Sequence, residues 1–245
     1  MKILTWNAAM KFREKIGEVL PLSPDILVIP ECEAPEKWEK SKFKDEAKQF
    51  LWFGHNRSKG IGILSLNPLY KLELNPIYNQ EFKYIVPIIV NGDNEEFNLI
   101  AVWSQFTEKR YYSYIGQIYL ALKYYYEILN KPSLIIGDWN SNVIFDSIKR
   151  VGTHSDVLTL LKKFDIHSLY HSYFNEEQGS ESLATHYFRK DLNNPFHIDY
   201  IFASRYFINR LELLQVGESI DWIKFSDHMP LMATFKSNIE NKGTK

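Results

Sequence analysis

Residues 133–140 read SLIIGDWN, an apolar run that ends in a glycine and two polar side chains. A short, continuous apolar run is typical of a strand that is buried on both faces. Gly137 permits a tight backbone turn where that strand ends. In extended backbone, Asp138 and Asn140 would point to the same side, two residues apart. The segment therefore predicts a polar site at a strand end or an Asx turn, because Asp and Asn are also common turn residues.

Four further polar clusters adjoin apolar runs elsewhere in the chain. They are Thr5-Trp6-Asn7, Pro30-Glu31, His197-Ile198-Asp199 and Ser226-Asp227-His228. Taken singly, each has an ordinary structural explanation, such as an exposed loop carboxylate or a buried core histidine. Together the five clusters span almost the whole chain and indicate one site at the ends of strands. Amide, carboxylate and imidazole groups gathered in this way are typical of metal-centred hydrolysis.

The clusters supply candidates for metal binding and for proton transfer. Asn7 and Glu31 end neighbouring predicted strands, so their oxygens form a candidate site for a divalent cation such as Mg²⁺, and Asp227 can add a carboxylate. Asp199 lies in the apolar segment HIDYIFA, where an unpaired charge would be costly. We therefore predict that Asp199 pairs with His228, which would fix the imidazole tautomer and raise its basicity.

Other patterns narrow the function classes. His186, in the segment ATHYF, precedes the Asp199 strand and is a candidate for the mouth of the site. The chain lacks GxGxxG, P-loop and GxSxG patterns, so nucleotide-cofactor and serine-hydrolase functions lack support. The formal net charge of −1 weighs against extensive nonspecific binding of long nucleic acid, but it is compatible with a local basic surface at the rim of the site.

The composition is that of an ordinary globular protein, with 245 residues, 45% hydrophobic and 24% charged. Cys32 is the only cysteine, and the sequence runs from Met1 directly into a predicted strand. We therefore expect a cytoplasmic protein without a cleaved leader. No apolar stretch approaches the roughly 20 residues of a membrane span. We expect no membrane association, and no protein partner is indicated.

Apolar periodicity predicts strands alternating with helices. Strands are predicted at 2–6, 25–29, 60–64, 70–74, 84–90, 97–103, 134–137, 184–188, 198–203, 211–216 and 231–235. Helices are predicted at 12–20, 36–49, 111–129 and 155–164, the last with Ser155 as its N-cap. The pattern predicts an α/β four-layer sandwich, in which two mixed β-sheets pack face to face with helices outside. We expect one domain, residues 1–236, followed by a flexible tail, residues 237–245.

The order TWN, PE, GDWN, HIDYIFAS and SDHMPL resembles the endonuclease/exonuclease/phosphatase superfamily. This superfamily includes exonuclease III, the apurinic endonucleases and deoxyribonuclease I, and the resemblance runs from Asn7 to about Phe235. It implies a deoxyribonuclease I-like sandwich with its active site at one end. It also implies Mg²⁺- or Mn²⁺-dependent hydrolysis of phosphoesters.

The resemblance further implies roles for individual residues. Glu31 resembles the principal metal ligand, with Asn7 beside it and Asp227 as an added ligand. Asp138 resembles the residue that activates water or serves the leaving group, and Asn140 resembles its phosphate-positioning neighbour.

In the same way, Asp199 resembles the residue that orients His228, which would stabilise transition-state oxygens or move a proton. One departure is Trp103, in AVWSQF, where members usually carry His or Tyr. Because tryptophan offers only its indole N–H, Trp103 would donate to a phosphate oxygen, stack on a base or sugar, or serve as core.

The leading hypothesis is an intracellular nuclease that acts on DNA or RNA. Its basis is the segment HIDYIFAS, which is nearer to nucleases and deadenylases of the superfamily than to its inositol phosphatases. A phosphomonoesterase or phosphodiesterase acting on a small or lipid phosphoester is an alternative that the near-neutral charge favours. A non-catalytic binding protein with a degenerate site is a further alternative, motivated by Trp103.

Overall fold

Two six-stranded mixed β-sheets form the centre of the computed structural model, in which residues 1–92 and 94–237 are described. In chain order the strands are β1 (Lys2–Thr5), β2 (Ile26–Cys32), β3 (Gln49–Asn56), β4 (Lys59–Ser65), β5 (Lys71–Leu74), β6 (Ile85–Gly92), β7 (Glu95–Trp103), β8 (Ser133–Asp138), β9 (Ile166–Ser168), β10 (His186–Tyr187), β11 (Pro195–Phe196), β12 (Asp199–Ser204), β13 (Leu211–Val216) and β14 (Leu231–Phe235). The helices are α1 (Phe12–Val19), α2 (Ile115–Tyr124), α3 (Tyr126–Leu129), α4 (His154–Lys162), α5 (Leu169–Phe174), α6 (Arg205–Ile208) and α7 (Ser219–Trp222).

The strand order shows how the sheets are built. The first sheet has the order β13-β14-β1-β2-β4-β3, the second has the order β5-β6-β7-β8-β12-β9, and β10 pairs with β11 in a separate ribbon. β1 and β2 run parallel with α1 between them in sequence, as the strand–helix–strand opening predicts. A hairpin is predicted around residues 91–94, of which residue 93 lies outside the described residues; on either side of it, β6 and β7 pair antiparallel.

Three apolar clusters hold four layers together. One lies between the two sheets and includes Val28, Leu99 and Ile136. A second packs α2 and α4 against the outer face of the second sheet, and a third packs α1 against the outer face of the first. The predicted four-layer α/β sandwich is confirmed. The helices among the described residues are too short or too polar to cross a membrane.

Several local predictions were wrong. Residues 36–49 form a 3-10 turn at Pro35–Trp38 followed by irregular turns, not a helix. Trp38 packs on Phe12, and Phe43 packs beside Gly17, so both rings face α1. Residues five apart lie about 140° apart around a helix, so a regular helix would not direct both rings to the same surface.

Two further corrections concern helix ends. The N-cap of α4 is Thr153, not Ser155, and Thr153 forms a capping box with Asp156. The predicted helix at 111–129 divides into α2 and α3, with Tyr125 between them. Apart from residue 237, the predicted tail lies outside the described residues.

The topology gathers strand ends at one end of the sandwich. β1 is antiparallel to β14, so the carboxyl end of β1 lies beside the amino end of β14. β8 is antiparallel to β12, and Asp138 pairs in register with Asp199. The clusters that follow β1 and β8 therefore meet those that precede β14 and β12.

His154, the first residue of α4, gives the fold a pH-dependent stability. It is buried beside Trp139 and Tyr200, and burial lowers its pKa to about 4. The unfolded chain protonates a histidine near its ordinary pKa of 6.5. Because the folded state resists that proton, stability is full above pH 6.5 and falls as the pH drops toward 4. We expect a loss of up to about 3 kcal/mol in the free energy of unfolding across this window.

Denaturant unfolding between pH 7 and pH 4 checks this prediction. His154→Phe should have a shallower pH dependence than the wild type, because the titrating group is gone. His167→Asn, at a partly exposed ring that pairs with Asp165, is the control and should keep the slope attributed to His154. Identical slopes in the wild type and His154→Phe would contradict the assignment.

Candidate active site

Asp138 is the centre of the candidate site, at the carboxyl end of β8. Its side chain is buried and accepts hydrogen bonds from Asn7 Nδ2 at 2.9 Å, Asn140 N at 2.9 Å and Asn140 Nδ2 at 3.0 Å. The bond from Asn7 joins the two sheets, because Asn7 follows β1. The bond from the Asn140 amide closes an Asx turn. The sequence predicted either an Asx turn or a group of polar side chains at this strand end. Both are present at the end of β8.

The predicted pair of Asp199 and His228 lies beside Asp138. His228 Nδ1 is 2.9 Å from Asp199 Oδ2, and both side chains are buried. Because a carboxylate can only accept, His228 donates from Nδ1 and presents Nε2 on the other side of its ring. The backbone amide of Asp199 donates to Thr185 Oγ1 at 3.0 Å. The geometry fixes the orientation of the imidazole relative to Asp138.

The close approach of these buried groups shifts their pKa values. Burial raises the pKa of Asp138 to about 7; the Asp199 carboxylate adds to the rise, and His228 opposes it. Burial also lowers the pKa of His228, but Asp199 and Asp138 outweigh burial and raise it to about 10. The surroundings therefore favour the protonated form of the His228 imidazole and raise the pKa of the Asp138 carboxyl toward neutrality. This combination suits acid–base chemistry.

Glu31 lies at a bulge near the end of β2, with a φ of 60°. Its carboxylate is 20% exposed and forms an ion pair with Lys59 Nζ at 2.9 Å. Lys59 also lies over the ring of Trp103, 5.4 Å from its centroid. Trp103 is only 4% exposed and belongs to the inter-sheet core, where its ring packs against Tyr84. The Trp103 ring thus lies beneath Lys59, which in turn pairs with Glu31.

His186 and Asp227 form a second pair at the edge of the site. Asp227 Oδ2 is 3.6 Å from His186 Nε2, and the rings of His186 and His228 are 4.4 Å apart. The nearby His186 ring is the main cause that lowers the pKa of Asp227 to about 2, and burial opposes it. Asp227 is therefore a carboxylate at neutral pH.

The donor set fits a hard divalent cation. The five polar clusters contribute four carboxylates at this end of the sandwich: Glu31, Asp138, Asp199 and Asp227. In the described part of the chain, ligand atoms lie within 4.8 Å of one another in two groups, Asp138 with Asp199 and His228, and His186 with Asp227 and His228. Glu31 belongs to neither group. Within residues 1–92 and 94–237, no donor reaches the buried Asp199 Oδ1. An excess of oxygen ligands with an unpaired buried acceptor is an arrangement that Mg²⁺ or Mn²⁺ can neutralise.

An aromatic pocket opens beside Asn140 and His186. Its volume is about 370 Å³. Its other lining residues are Tyr114, Phe145, Phe188, Asn194, Phe196 and Ile198. Apolar walls with polar groups at the mouth suit a sugar or a base better than a bare phosphate. We call this feature the aromatic pocket.

The sequence profile of the Endonuclease/Exonuclease/phosphatase family matches residues 4–228. The chain belongs to this family. It is therefore an enzyme of the phosphoester-hydrolysing type, as its sequence motifs indicated. No curated protein sequence matches the chain at a significant level.

Solved structures share the fold over almost the entire chain. A 3′ phosphatase, NExo, from Neisseria, bound to a product DNA hairpin, is 17% identical, with a TM-score of 0.70, and the match covers 97% of this chain and 100% of that one. An AP endonuclease from Archaeoglobus fulgidus is 18% identical, with a TM-score of 0.69 and coverage of 97% and 100%. At these identities the likeness establishes the deoxyribonuclease I-like fold.

Sequence analysis of this family member located the polar groups but missed the aromatic pocket. The pairing of Asp199 with His228 was predicted, and Asp138 and Asn140 were expected to point to the same side. The hydrogen bond from Asn7 to Asp138 was not predicted, because Asn7 had been assigned to a metal site with Glu31. Phe145 and Phe196, whose ring centroids are 5.7 Å apart, were not singled out. The only local signal is the position of Phe196 three residues before Asp199.

Proposed function

We propose that this enzyme is a divalent-metal-dependent phosphodiesterase that cleaves DNA or RNA inside the cell. The observation that carries the proposal is the buried group of Asp138, Asp199 and His228, in which Asp199 orients the imidazole beside a carboxyl whose pKa is raised by burial. The intracellular location is supported by Cys32, the only cysteine, which is buried and unpaired.

We propose a separate role for each polar residue of the site. Asp138 accepts a proton from the attacking water, since its carboxylate is held by Asn7 and Asn140 and titrates near neutral pH. His228, oriented by Asp199, donates from Nε2 to a phosphoryl oxygen and stabilises the charge that develops there. Asn140 Nδ2 donates to Asp138 Oδ2 at 3.0 Å and to Ser104 O at 3.1 Å, which uses both of its hydrogens. We therefore propose that Asn140 acts on the phosphate through Asp138, whose carboxylate it holds in place.

Glu31, Asn7 and Asp227 are the residues that we propose to hold Mg²⁺ or Mn²⁺. The ion supplies Lewis acidity and charge neutralisation at the phosphoryl group. Glu31 is suited to this role because its carboxylate is partly exposed and its ion-pair partner is the ammonium group of Lys59, which is itself 41% exposed. Asp227 is ionised at neutral pH, and His186 lowers its pKa further.

The aromatic pocket favours a nucleic acid over a small phosphoester. It lies directly beside Asn140 and His186, so a phosphate at the site would bring an attached sugar or base to Phe145 and Phe196. The second candidate, a phosphomonoesterase or a phosphodiesterase for small or lipid phosphoesters, is favoured by the net charge of −1.

Substrate comparison distinguishes the two candidates. Purified enzyme is assayed in Mg²⁺ with end-labelled single- and double-stranded oligonucleotides, with para-nitrophenyl phosphate and with bis(para-nitrophenyl) phosphate. We expect kcat/KM for an oligonucleotide to exceed that for the monoester by at least about 100-fold, because binding energy from groups remote from the phosphate is used in the transition state. Hydrolysis of the small esters without cleavage of any oligonucleotide would establish the second candidate instead.

A further inference from the structure

A second cleft opens at the same end of the sandwich, between edge strand β3 and the segment that connects β5 to β6. Its volume is about 490 Å³. Its aromatic and basic lining residues are Trp52, Phe53, His55, Tyr78, Lys83 and Tyr84. We call this feature the edge cleft. It belongs to neither the candidate metal site nor the aromatic pocket.

The sheet register places the edge cleft and Asp138 on opposite sides of Trp103. Trp103 pairs in register with Asp138 on β8, whereas its backbone amide donates to the carbonyl of Tyr84, just before β6. The Trp103 and Tyr84 rings are 4.8 Å apart. The aromatic pocket lies on the side of β8 and β12. A strand bound across the phosphate site would therefore have the aromatic pocket on one side and the edge cleft on the other.

The edge cleft is built from ordered aromatic rings. Phe53 and Tyr78 pack edge to face with centroids 5.5 Å apart. The Tyr84 hydroxyl lies 2.6 Å from His55 Nδ1, and the Tyr78 hydroxyl donates to the Lys83 carbonyl at 2.6 Å. Because these phenols are already bonded to protein groups, their rings are held in place as walls. Pre-ordered aromatic walls lose little conformational entropy when a planar ligand stacks on them.

The charge around the edge cleft matches a nucleic acid. Its described lining residues include His55 and Lys83 but no carboxylate. Lys83 is exposed and lines the edge cleft. Arg57 and Lys59 follow on the β3–β4 hairpin, and Lys59 reaches Glu31. Cationic groups thus extend from the edge cleft to the candidate metal site.

We propose that the edge cleft binds a nucleobase of the substrate strand, on the side of the scissile phosphate opposite the aromatic pocket. This inference rests on the proposed function. Stacking against protein aromatic rings requires an unstacked base, so the occupant is a single-stranded or frayed stretch. Loss of one stacked base lowers affinity by roughly 5- to 150-fold.

Oligonucleotide affinity measures occupancy of the edge cleft directly. Fluorescence anisotropy of fluorescein-labelled dT12 is followed in Mg²⁺, with Asp138→Asn as the background so that the strand is not cut. Two variants change exposed positions only: the double variant His55→Ala/Lys83→Gln, and Leu74→Glu, which adds a carboxylate at another lining side chain of the edge cleft, 42% exposed. Lys163→Gln, at an exposed lysine just after α4, is the charge-matched control.

We expect both cleft variants to weaken dT12 binding by at least about fivefold, with no change in the control. Hydrolysis of bis(para-nitrophenyl) phosphate, measured with Asp138 intact, should be unaffected, because this ester is too short to reach the edge cleft. Unchanged dT12 affinity in both cleft variants would overturn the proposed binding of a nucleobase in the edge cleft, and it would leave the proposed function untouched. Failure of the wild type to hydrolyse any phosphodiester would instead overturn the proposed function.

Discussion

Replacement of Asp138 by asparagine is expected to lower kcat on a phosphodiester by about 10²- to 10⁴-fold, the usual range for loss of a positioned proton acceptor. The carboxamide has the shape of the carboxylate but accepts a proton from water far less readily. Because the substitution leaves the aromatic pocket and Glu31 in place, KM should change much less than kcat. Steady-state rates in Mg²⁺ give both constants.

Asp45→Asn is the matched control, since Asp45 is exposed and distant in sequence from the site clusters. Thermal unfolding of each variant separates lost chemistry from lost structure. A second readout is the titration of His228 by NMR: its pKa should fall in Asp138→Asn, because the Asp138 charge helps to raise it. An unchanged kcat, or a drop matched by the control, would contradict the role assigned to Asp138.

Gly137→Ala is expected to destabilise the fold by about 2 to 6 kcal/mol, from backbone strain together with overpacking. Gly137 has a φ of 143°, and a Cβ there would lie 1.9 Å from the Val102 carbonyl oxygen on the neighbouring parallel strand. The side chain would push β7 and β8 apart directly beside Asp138. We expect a fall in the thermal midpoint of roughly 5 to 20 °C.

Gly17→Ala is the control for this substitution. Gly17 lies within α1, where a new Cβ would meet the tip of the Phe43 ring, which can shift. Alanine also favours a helix over glycine by about 1 kcal/mol, so this variant should be nearly neutral or stabilising. Urea unfolding of both variants tests the comparison, and equal stability for Gly137→Ala and the wild type would contradict the close packing of β7 on β8.

Much of the fold and the polar part of the site was predictable because strand ends carry local signals. The apolar run before Asp138 and the clusters before Tyr200 and Leu231 each identify a strand and the end at which its polar groups lie. The strand β3 was not predicted from the sequence, and the reason is physical. Its residues are half-buried or exposed along its whole length at the sheet edge, so the strand lacks the alternation that reveals a half-buried strand.

The rest of the site depends on contacts between distant parts of the chain. Glu31 and Glu33 are two residues apart, Glu31 near the end of β2 and Glu33 directly after it. Glu33 is buried and accepts from the Phe12 and Arg13 amides at 2.8 Å each, so it caps the start of α1, whereas Glu31 faces Lys59. Nothing local distinguishes these two carboxylates, because the difference arises from which of them the folded chain brings beside α1.

Metal dependence in the wild type and in Glu31→Gln tests the central claim most directly. Cleavage of an end-labelled oligonucleotide is measured over a series of Mg²⁺ and Mn²⁺ concentrations after treatment with EDTA, with Glu36→Gln, at an exposed glutamate, as the control. We expect no cleavage without metal, full recovery when Mg²⁺ or Mn²⁺ is restored, and at least about a tenfold higher metal requirement in Glu31→Gln but not in the control. Cleavage that persists in EDTA, or a Glu31→Gln enzyme with the metal requirement of the wild type, would contradict a metal-centred site at these strand ends.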